Sequence, residues 1–334
     1  LRAREGIIFV LNQYMNDGHV YCPRALLLEK AEEALQITAE VVEQALEELL
    51  RERRLVAETM MGTGADGEAE TTAIYLMPFF IAELQSARLL LALQEEKSVV
   101  RPIDVEKAVD WVGQKLKIKL AARQKEAVAT AVSEKIMIIT GGPGTGKTTI
   151  VNAITRIFAA LKLKITMAAP TGRAARRLRE STGLEAMTIH RLLEFSPREG
   201  GFARNRENPL NTDVVIVDES SMIDSLLMYN LLKAIPPQAI LILVGDVNQL
   251  PSVGPGNVLR DLIESGRFPV IELTDIFRQA RGSRIVYNAH RINQGKFPFL
   301  PEGGEESDFY FMEEKDAEKA MQKILGLCRS HIPR

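Results

Sequence analysis

The sequence predicts an α/β fold in which a parallel sheet covered by helices follows a smaller, mostly helical domain. Two observations support this prediction. From residue 120 onward, short apolar runs alternate with helical segments, which is typical of a parallel sheet buried on both faces. Before residue 79, three helical patterns precede two strand-like segments. No internal repeat or low-complexity tract interrupts this order.

Composition is typical of a globular protein with two or three domains. The chain has 334 residues, of which 46% are hydrophobic. No apolar run approaches the roughly 18 to 20 residues that cross a bilayer, and no signal-peptide pattern opens the chain. The two cysteines, Cys22 and Cys328, favour a reduced, cytoplasmic compartment. Because the chain opens on Leu1 rather than Met, we expect a piece of a longer protein.

The net charge of −2 is unevenly distributed. Residues 1–100 contain 9 Lys and Arg against 17 Asp and Glu, whereas residues 101–334 contain 33 against 27. The acidic first part is a poor partner for nucleic acid, but the basic remainder could use a local patch for it.

Residues 1–78 have the pattern of a winged-helix-like domain. Helices are expected at 5–15, 24–35 and 39–53, and strands at 55–60 and 72–76 around a Gly-rich turn at 62–67. The third helix and the residue after it carry five glutamates against three arginines, which argues against binding to DNA phosphates. We therefore expect a structural or protein-contact role for this domain.

Residues 79–119 are interpreted as a helical connector, with helices at 79–97 and 102–113. Residues 120–300 form the predicted sheet domain, whose strands are expected at 136–139, 164–168, 214–217, 240–244 and 270–273. Residues 301–334 contain a strand-like segment at 309–312 and a helix at 316–329, and are interpreted as a linker or the start of another domain.

The run G-G-P-G-T-G-K-T-T at residues 141–149 follows the first apolar run of the sheet domain. Its glycines let the backbone form a concave nest of N–H groups, and the following helix adds the positive end of its dipole. Lys147 would then contact the β- and γ-phosphates of a nucleotide, and Thr148 would bind Mg²⁺. The expected nucleotide contacts are Gly142, Pro143, Gly144, Thr145, Gly146, Lys147, Thr148 and Thr149.

Polar residues follow three further predicted strands. Asp218 and Glu219 end the run V-V-I-V-D-E, where the first can hold Mg²⁺ and the second can deprotonate an attacking water. Gln249 could sense a γ-phosphate, and Arg278 could clamp it. Either residue alone is more often a surface residue, but their shared position at strand ends favours catalysis.

A basic cluster follows the second strand of the sheet domain. Thr171 and the backbone at Gly172 can approach a phosphate closely. The cluster, which a solvated helix face would also explain, comprises Arg173, Arg176, Arg177 and Arg179. His190 alone would more often be a structural histidine.

These segments together resemble the RecD-like group of superfamily 1 DNA helicases over about residues 120–294. The matching segments are Gln124, G-G-P-G-T-G-K-T-T, A-P-T-G-R-A-A, T-I-H-R-L-L, V-I-V-D-E-S-S-M, V-G-D-V-N-Q-L-P-S-V-G-P-G and L-T-D-I-F-R-Q. The resemblance implies a RecA-like P-loop NTPase domain, the first of two motor domains, with ATP and Mg²⁺ as cofactors. Gln124 is implied at the adenine edge, Thr148 and Asp218 at the metal, and Lys147, Glu219, Gln249 and Arg278 at the reacting phosphate.

The same resemblance implies contacts to single-stranded DNA and to duplex junctions. The implied DNA contacts are Pro170, Thr171, Gly172, Arg173, Thr188, His190 and Arg191. The turn-rich residues 194–212 interrupt the α/β alternation, and in similar helicases such an insertion supplies a pin that splits the duplex.

The implied function is ATP-driven, 5′ to 3′ movement on single-stranded DNA in repair or recombination. Both a stand-alone helicase and a subunit of exodeoxyribonuclease V fit, although the long N-terminal region favours the first. No segment after residue 300 resembles the second motor domain, so we expect this chain alone to bind ATP·Mg²⁺, to hydrolyse it slowly and not to unwind DNA.

Two other classes stay open from the residues alone. A different phosphate-loop enzyme, such as a kinase, predicts ATPase activity that is indifferent to DNA. A non-catalytic module that binds nucleic acid or protein is favoured by the acidic N-terminal domain, which we expect to contact protein partners.

Overall fold

The computed structural model describes residues 1–64, 67–101, 103–198, 200–275, 283–300 and 307–330. The chain divides into two compact units, residues 1–275 and residues 276–334. Among the residues so described, no helix has the length and apolar character needed to span a bilayer.

The N-terminal part of the first unit packs three helices on a three-stranded antiparallel sheet of order β1-β3-β2. Its elements are α1 (Arg2–Asn16), β1 (Tyr21–Pro23), α2 (Arg24–Leu35), α3 (Ala39–Arg51), β2 (Leu55–Gly64) and β3 (Gly67–Leu76). Leu11, Leu27, Leu46 and Ile74 are fully buried in its core. Apart from the short strand β1, this is the order of elements that the sequence predicts for a winged-helix-like domain.

The hairpin of β2 and β3, which forms the wing of this domain, is longer than the sequence predicts. Strands β2 and β3 stay paired from Leu55 opposite Leu76 out to Gly64 opposite Gly67, so most of the predicted turn at 62–67 is strand. The polar and glycine residues there lack the apolar alternation that identifies a half-buried strand. Backbone pairing between the two strands continues through this segment.

The glutamates of α3 are partly neutralised by arginines of the neighbouring helices. Arg24 forms an ion pair with Glu43 at 2.6 Å, and Arg4 forms one with Glu48 at 3.8 Å. These pairs are solvent-exposed and each contributes only about 0 to 1 kcal/mol.

The second part of this unit is a six-stranded, fully parallel sheet of order β11-β4-β10-β9-β5-β6. Its strands are β4 (Ile136–Gly141), β5 (Ile165–Ala169), β6 (Ala186–Thr188), β9 (Val214–Val217), β10 (Ile240–Gly245) and β11 (Val270–Leu273). Its helices are α5 (Val105–Leu116), α6 (Ala122–Ser133), α7 (Lys147–Ala160), α8 (Gly172–Thr182), α9 (Ile189–Leu192), α10 (Ser225–Ala234) and α11 (Val258–Glu264). Two short strands, β7 (Phe195–Ser196) and β8 (Gly201–Phe202), form a separate antiparallel hairpin.

Helices cover both faces of the parallel sheet. Met137 and Ile139 of β4 face the core formed with α5, α6 and α7, whereas Ile136 and Ile138 face the core formed with α4 (Met77–Glu95) and α10. All four side chains are buried because alternate residues of a central strand point to opposite faces. The predicted α/β fold is therefore confirmed.

Helix α4 connects the N-terminal domain to the sheet domain. It begins directly after β3, with Pro78 in its first turn, and its far end packs on α10. Leu90 and Leu93 are buried in the core of the sheet domain, and the Gln94 amide donates to the Arg267 carbonyl at 3.2 Å.

Glu83 lies on this helix between carboxylates of two other elements. Burial raises the pKa of the Glu83 carboxyl to about 7, and the charges of Asp261 in α11 and Glu58 in β2 act in the same direction. The hydroxyl of Tyr75 hydrogen-bonds to Glu83 and opposes this shift.

We expect Glu83→Gln to raise the midpoint of thermal unfolding much more at pH 8 than at pH 5. The folded-state pKa lies above the ordinary value of 4.5, so the stabilisation from protonated Glu83 is lost as the pH rises through 7. The full difference is at most about 3 kcal/mol. The exposed Glu33→Gln is the control and should shift neither midpoint. An equal rise of the Glu83→Gln midpoint at both pH values would contradict the raised pKa of Glu83.

The second unit contains α12 (Arg284–Asn293) and α13 (Ala317–Ser330). The buried Asn288 side chain fixes the chain after α12, because its amide donates to the Phe299 carbonyl at 2.8 Å and its oxygen accepts from the Phe299 N–H at 2.7 Å. Helix α13 confirms the predicted final helix. The predicted strand at 309–312 is wrong, since these residues join no sheet ladder and an apolar run forms a strand only when another strand pairs with it.

Candidate functional site

The loop between β4 and α7 has the backbone of a phosphate-binding nest. Gly144 and Gly146 adopt φ angles of 76° and 85°, the left-handed region that favours glycine. The Thr145 hydroxyl donates to the Gly142 carbonyl at 2.8 Å and closes the loop. Thr148 and Thr149 lie in the first turn of α7, whose N–H groups have no partner within the helix.

Lys147 is held by this loop rather than by a carboxylate. Its ammonium group donates to the carbonyls of Gly141 and Gly142, the second at 3.2 Å. Burial lowers the pKa of Lys147, while the charges of Asp246, Glu219 and Asp218 act in the opposite direction. Three acidic side chains therefore lie near the Lys147 ammonium group, and its hydrogen bonds within the described part of the chain go to carbonyl oxygens, which a phosphate could replace.

Asp218 and Glu219 follow β9, two strands from the phosphate loop. The Glu219 N–H donates to the Asp218 carboxylate at 2.9 Å. Burial raises the pKa of Asp218, although the charges of Lys147 and Arg177 oppose this. Glu219 has a φ of 54°, an uncommon conformation for a residue other than glycine and one that often occurs at functional sites.

Asp246, which sequence reasoning leaves without a role, holds the loop after β10. Only 2% of the residue is exposed, and its carboxylate accepts from the Asn248 N–H at 3.1 Å and from the Gln249 side-chain amide at 3.2 Å. The position of Asp246 directly after a buried strand is the sequence feature that could have indicated this role. Asp246 thus positions Gln249 and adds to the negative charge around Lys147.

Gln124 lies in the first turn of α6 and is 3% exposed. Its side-chain oxygen accepts from the Ala121 N–H at 3.1 Å. Its amide nitrogen is a buried donor for which the described residues provide no acceptor. Such a donor fits a ligand with a hydrogen-bond acceptor, as a purine ring has.

The acidic groups fit a divalent cation that is shared with a bound nucleotide. Within the described ranges, no three His, Cys, Asp or Glu side chains are close enough to hold a metal ion by themselves. Mg²⁺ commonly takes only one or two carboxylates and completes its shell with phosphate oxygens and water. Asp218 and the hydroxyl of Thr148 are the groups that would hold it here.

The segments after β5 and β6 lie at the same edge of the sheet as the phosphate loop. Ala169 pairs with Thr188 in the parallel ladder, so both strands end side by side. The Thr171 hydroxyl accepts from the Ala174 N–H at 3.2 Å and caps α8, with Pro170 before it and Gly172 and Arg173 after it. Strand β5 is three strands from β4, or about 14 Å at the usual spacing.

Comparison with known proteins finds relatives among RecD-type helicases. A family model described as an AAA domain matches residues 124–255. The ATP-dependent RecD2 DNA helicase of Deinococcus radiodurans is 35% identical over 283 residues, which cover 84% of this chain and 38% of that protein. The RecBCD enzyme subunit RecD of Mycolicibacterium smegmatis is 40% identical over 209 residues, covering 54% and 38%, and that of Haemophilus influenzae is 42% identical over 165 residues, covering 42% and 26%.

This chain is a homologue of RecD-like helicases. It spans less than half the length of these relatives. In this RecD-like chain, the predicted nucleotide-site residue Arg278 lies outside the described residues, within 276–282. All of the other residues predicted at the nucleotide lie among the described residues. The structure brings Lys147, Asp218 and Glu219 together at one edge of the sheet.

The arginines of this RecD-like chain after Thr171 do not form a single basic face. Arg176 forms an ion pair with Glu180 at 2.8 Å, one turn along α8. Arg177 lies near enough to Asp218 for its charge to lower the pKa of that carboxyl. Arg173, in the first turn of α8, is exposed.

Thr188 caps the short helix α9 by accepting from the Arg191 N–H at 3.2 Å. His190 and Arg191, on that helix, are exposed to solvent. The hairpin β7–β8 follows directly, within the region 194–212 that the sequence marks as an insertion.

Proposed function

We propose that the protein is an ATP-dependent DNA helicase. The observation that carries the proposal is the partly buried Lys147 near Asp218, Glu219 and Asp246, at the sheet edge that also carries the Thr171 and Thr188 segments. The similarity to a relative named an ATP-dependent RecD2 DNA helicase supports it. The same proposal implies that the protein is cytoplasmic and that it acts in DNA repair or recombination.

The nucleotide in this proposal is ATP with Mg²⁺. Lys147 binds the β- and γ-phosphates, Thr148 and Asp218 hold the metal ion, and Gln124 donates to the adenine edge. Mg²⁺, when bound, neutralises charge on the phosphates. The Glu219 carboxylate orients the attacking water and accepts its proton, while Gln249, held by Asp246, contacts the γ-phosphate. Arg278 would contact the same phosphate.

Single-stranded DNA would run across the ends of β5 and β6. Its phosphates would meet the first turn of α8, where backbone N–H groups and the helix dipole favour anions. The proposed contacts are Pro170, Thr171, Gly172, Arg173, Thr188, His190 and Arg191. Nucleotide-dependent closure against a second motor domain would then move the strand in the 5′ to 3′ direction.

The domain division proposed from the sequence is 1–78, 79–119, 120–300 and 301–334. In this division the acidic domain at 1–78 stays away from DNA and offers exposed glutamates to protein partners. Whether the helicase works alone or within a RecBCD-like complex is decided by such partners.

Unwinding of tailed duplexes tests the proposed function. The full-length protein, with ATP and Mg²⁺, should displace a labelled strand from a duplex with a 5′ single-stranded tail and not from one with a 3′ tail. Displacement from the 3′-tailed duplex alone would overturn the direction. ATP hydrolysis without displacement of either strand would favour the alternative of a phosphate-loop ATPase or kinase that does not act on DNA.

The hairpin tip is expected to separate strands without taking part in ATP hydrolysis. Replacing residues 197–200 by Gly and Ser should strongly reduce strand displacement and leave DNA-stimulated ATPase near the wild-type rate. Arg204 must be kept, because it anchors the base of the hairpin by donating to Glu194 at 2.7 Å and to Asn208 at 3.2 Å. Equal loss of strand displacement and of ATPase activity would refute the proposal that the hairpin is a strand-separating pin.

A further inference from the structure

Three aromatic rings form a cluster at the base of the hairpin. The centroids of the Phe195 and Phe202 rings are 5.0 Å apart, and His190 lies 5.7 Å from each of them. The His190 and Phe195 planes meet edge to face, at 88°. We call His190, Phe195 and Phe202 the aromatic cluster.

The aromatic cluster is supported by the core but is not part of it. Phe202 is partly buried and packs against the core on the α4 and α10 face of the sheet. Phe195 is 46% exposed, and His190 is exposed as well. Two rings thus rest on an anchored third ring and present aromatic surface to water.

The segment that carries these rings is fixed by contacts outside the rings themselves. The Arg204 guanidinium donates twice to the Glu194 carboxylate, at 3.0 and 2.7 Å. The Arg204 N–H also donates to the Leu193 carbonyl at 3.1 Å. Both Leu193 and Glu194 directly precede Phe195, so little conformational entropy is lost when a ligand contacts its ring.

We propose that the exposed face of Phe195, with His190, stacks on an unpaired base of the translocating strand. This rests on the proposed function and adds a base contact to the phosphate contacts. His190 lies two residues after Thr188, and the exposed cations Arg191 and Arg198 lie between the members of the cluster in sequence. Such a combination of cationic groups and aromatic faces is how proteins bind single strands without regard to sequence.

The size of the aromatic cluster favours a base over a protein partner. A stable protein interface buries about 800 Å² on each side, far more than two partly exposed rings provide. A single nucleobase has a π-face comparable to one phenyl ring. Contacts of this type contribute about 1 to 3 kcal/mol per base.

The test compares two DNA probes of the same length, one of deoxythymidines and one of abasic residues, both labelled with fluorescein. For the full-length protein, Phe195→Ala should weaken binding to the thymidine strand by about 5- to 150-fold and change binding to the abasic strand little. Phe195→Tyr should restore the preference for the strand with bases. The slope of log affinity against log salt should stay unchanged in Phe195→Ala, whereas Arg191→Ala should reduce it by about one.

Two outcomes would overturn the inference. Wild-type preference for the thymidine strand that survives Phe195→Ala would show that the stacking site lies elsewhere. Equal weakening on both probes would show that Phe195 only supports the fold of the hairpin. Failure of the wild-type protein to bind either probe would instead overturn the proposed function itself.

Discussion

Lys147→Met should reduce ATP hydrolysis by the full-length protein by about 100- to 1000-fold, the usual effect of removing one charge-stabilising donor from a phosphoryl-transfer site. Lys147 lies near Asp218, Glu219 and Asp246, and among the residues that the structure describes it hydrogen-bonds to the carbonyls of the phosphate loop. Methionine keeps the length and the apolar stem of the side chain but removes the charge. Steady-state phosphate release, with saturating ATP and single-stranded DNA, measures the effect.

The exposed Lys115→Met provides a matched control for this substitution. It should hydrolyse ATP at the wild-type rate. Retention of wild-type hydrolysis by Lys147→Met would mean that the loop at 141–149 does not bind the reacting phosphates. An identical loss in both variants would point to a general effect of removing a positive charge.

Glu219→Gln should separate nucleotide binding from hydrolysis. A general base contributes about 10²- to 10⁴-fold to rate, and the amide keeps the size of the side chain while it cannot accept the proton of the water. Affinity for a fluorescent ATP analogue should stay within a few-fold of wild type, because Lys147 and Asp218 are unchanged. Binding by fluorescence titration and hydrolysis by phosphate release are measured on the same preparation.

Glu185→Gln, at an exposed position of the same domain, is the control and should leave both quantities unchanged. If Glu219→Gln lost affinity and hydrolysis in parallel, Glu219 would serve nucleotide binding or the fold rather than the water. Hydrolysis at the wild-type rate would exclude Glu219 as the base.

Candidate functional residues that directly follow a strand could be predicted from the sequence. The phosphate loop and the Asp218–Glu219 pair follow buried β-branched strands, and parallel strands bring their carboxyl ends to one edge. The order of the strands in the sheet could not be predicted from the sequence.

The short strand β6 (Ala186–Thr188) could not be predicted either. It has only three partly buried residues, so its apolar signal is too weak to separate it from a loop.

Contacts between separated residues explain what the sequence did not predict. Asp246 acquires a role only because β10 pairs with β4 and brings its carboxylate near Lys147. The aromatic cluster likewise depends on the hairpin, which brings Phe202 back to Phe195. Hydrophobic patterning identifies buried residues, but it does not report which partly exposed side chains meet.

The central claim is that the nucleotide site at Lys147 and the DNA segments at Thr171 and Thr188 work as one motor. ATPase activity of the full-length protein, measured with and without single-stranded DNA, tests it most directly. We expect a low rate without DNA and a several-fold higher rate at saturating oligodeoxythymidine, with the increase absent in Lys147→Met. A wild-type rate that does not respond to single-stranded DNA would contradict the claim.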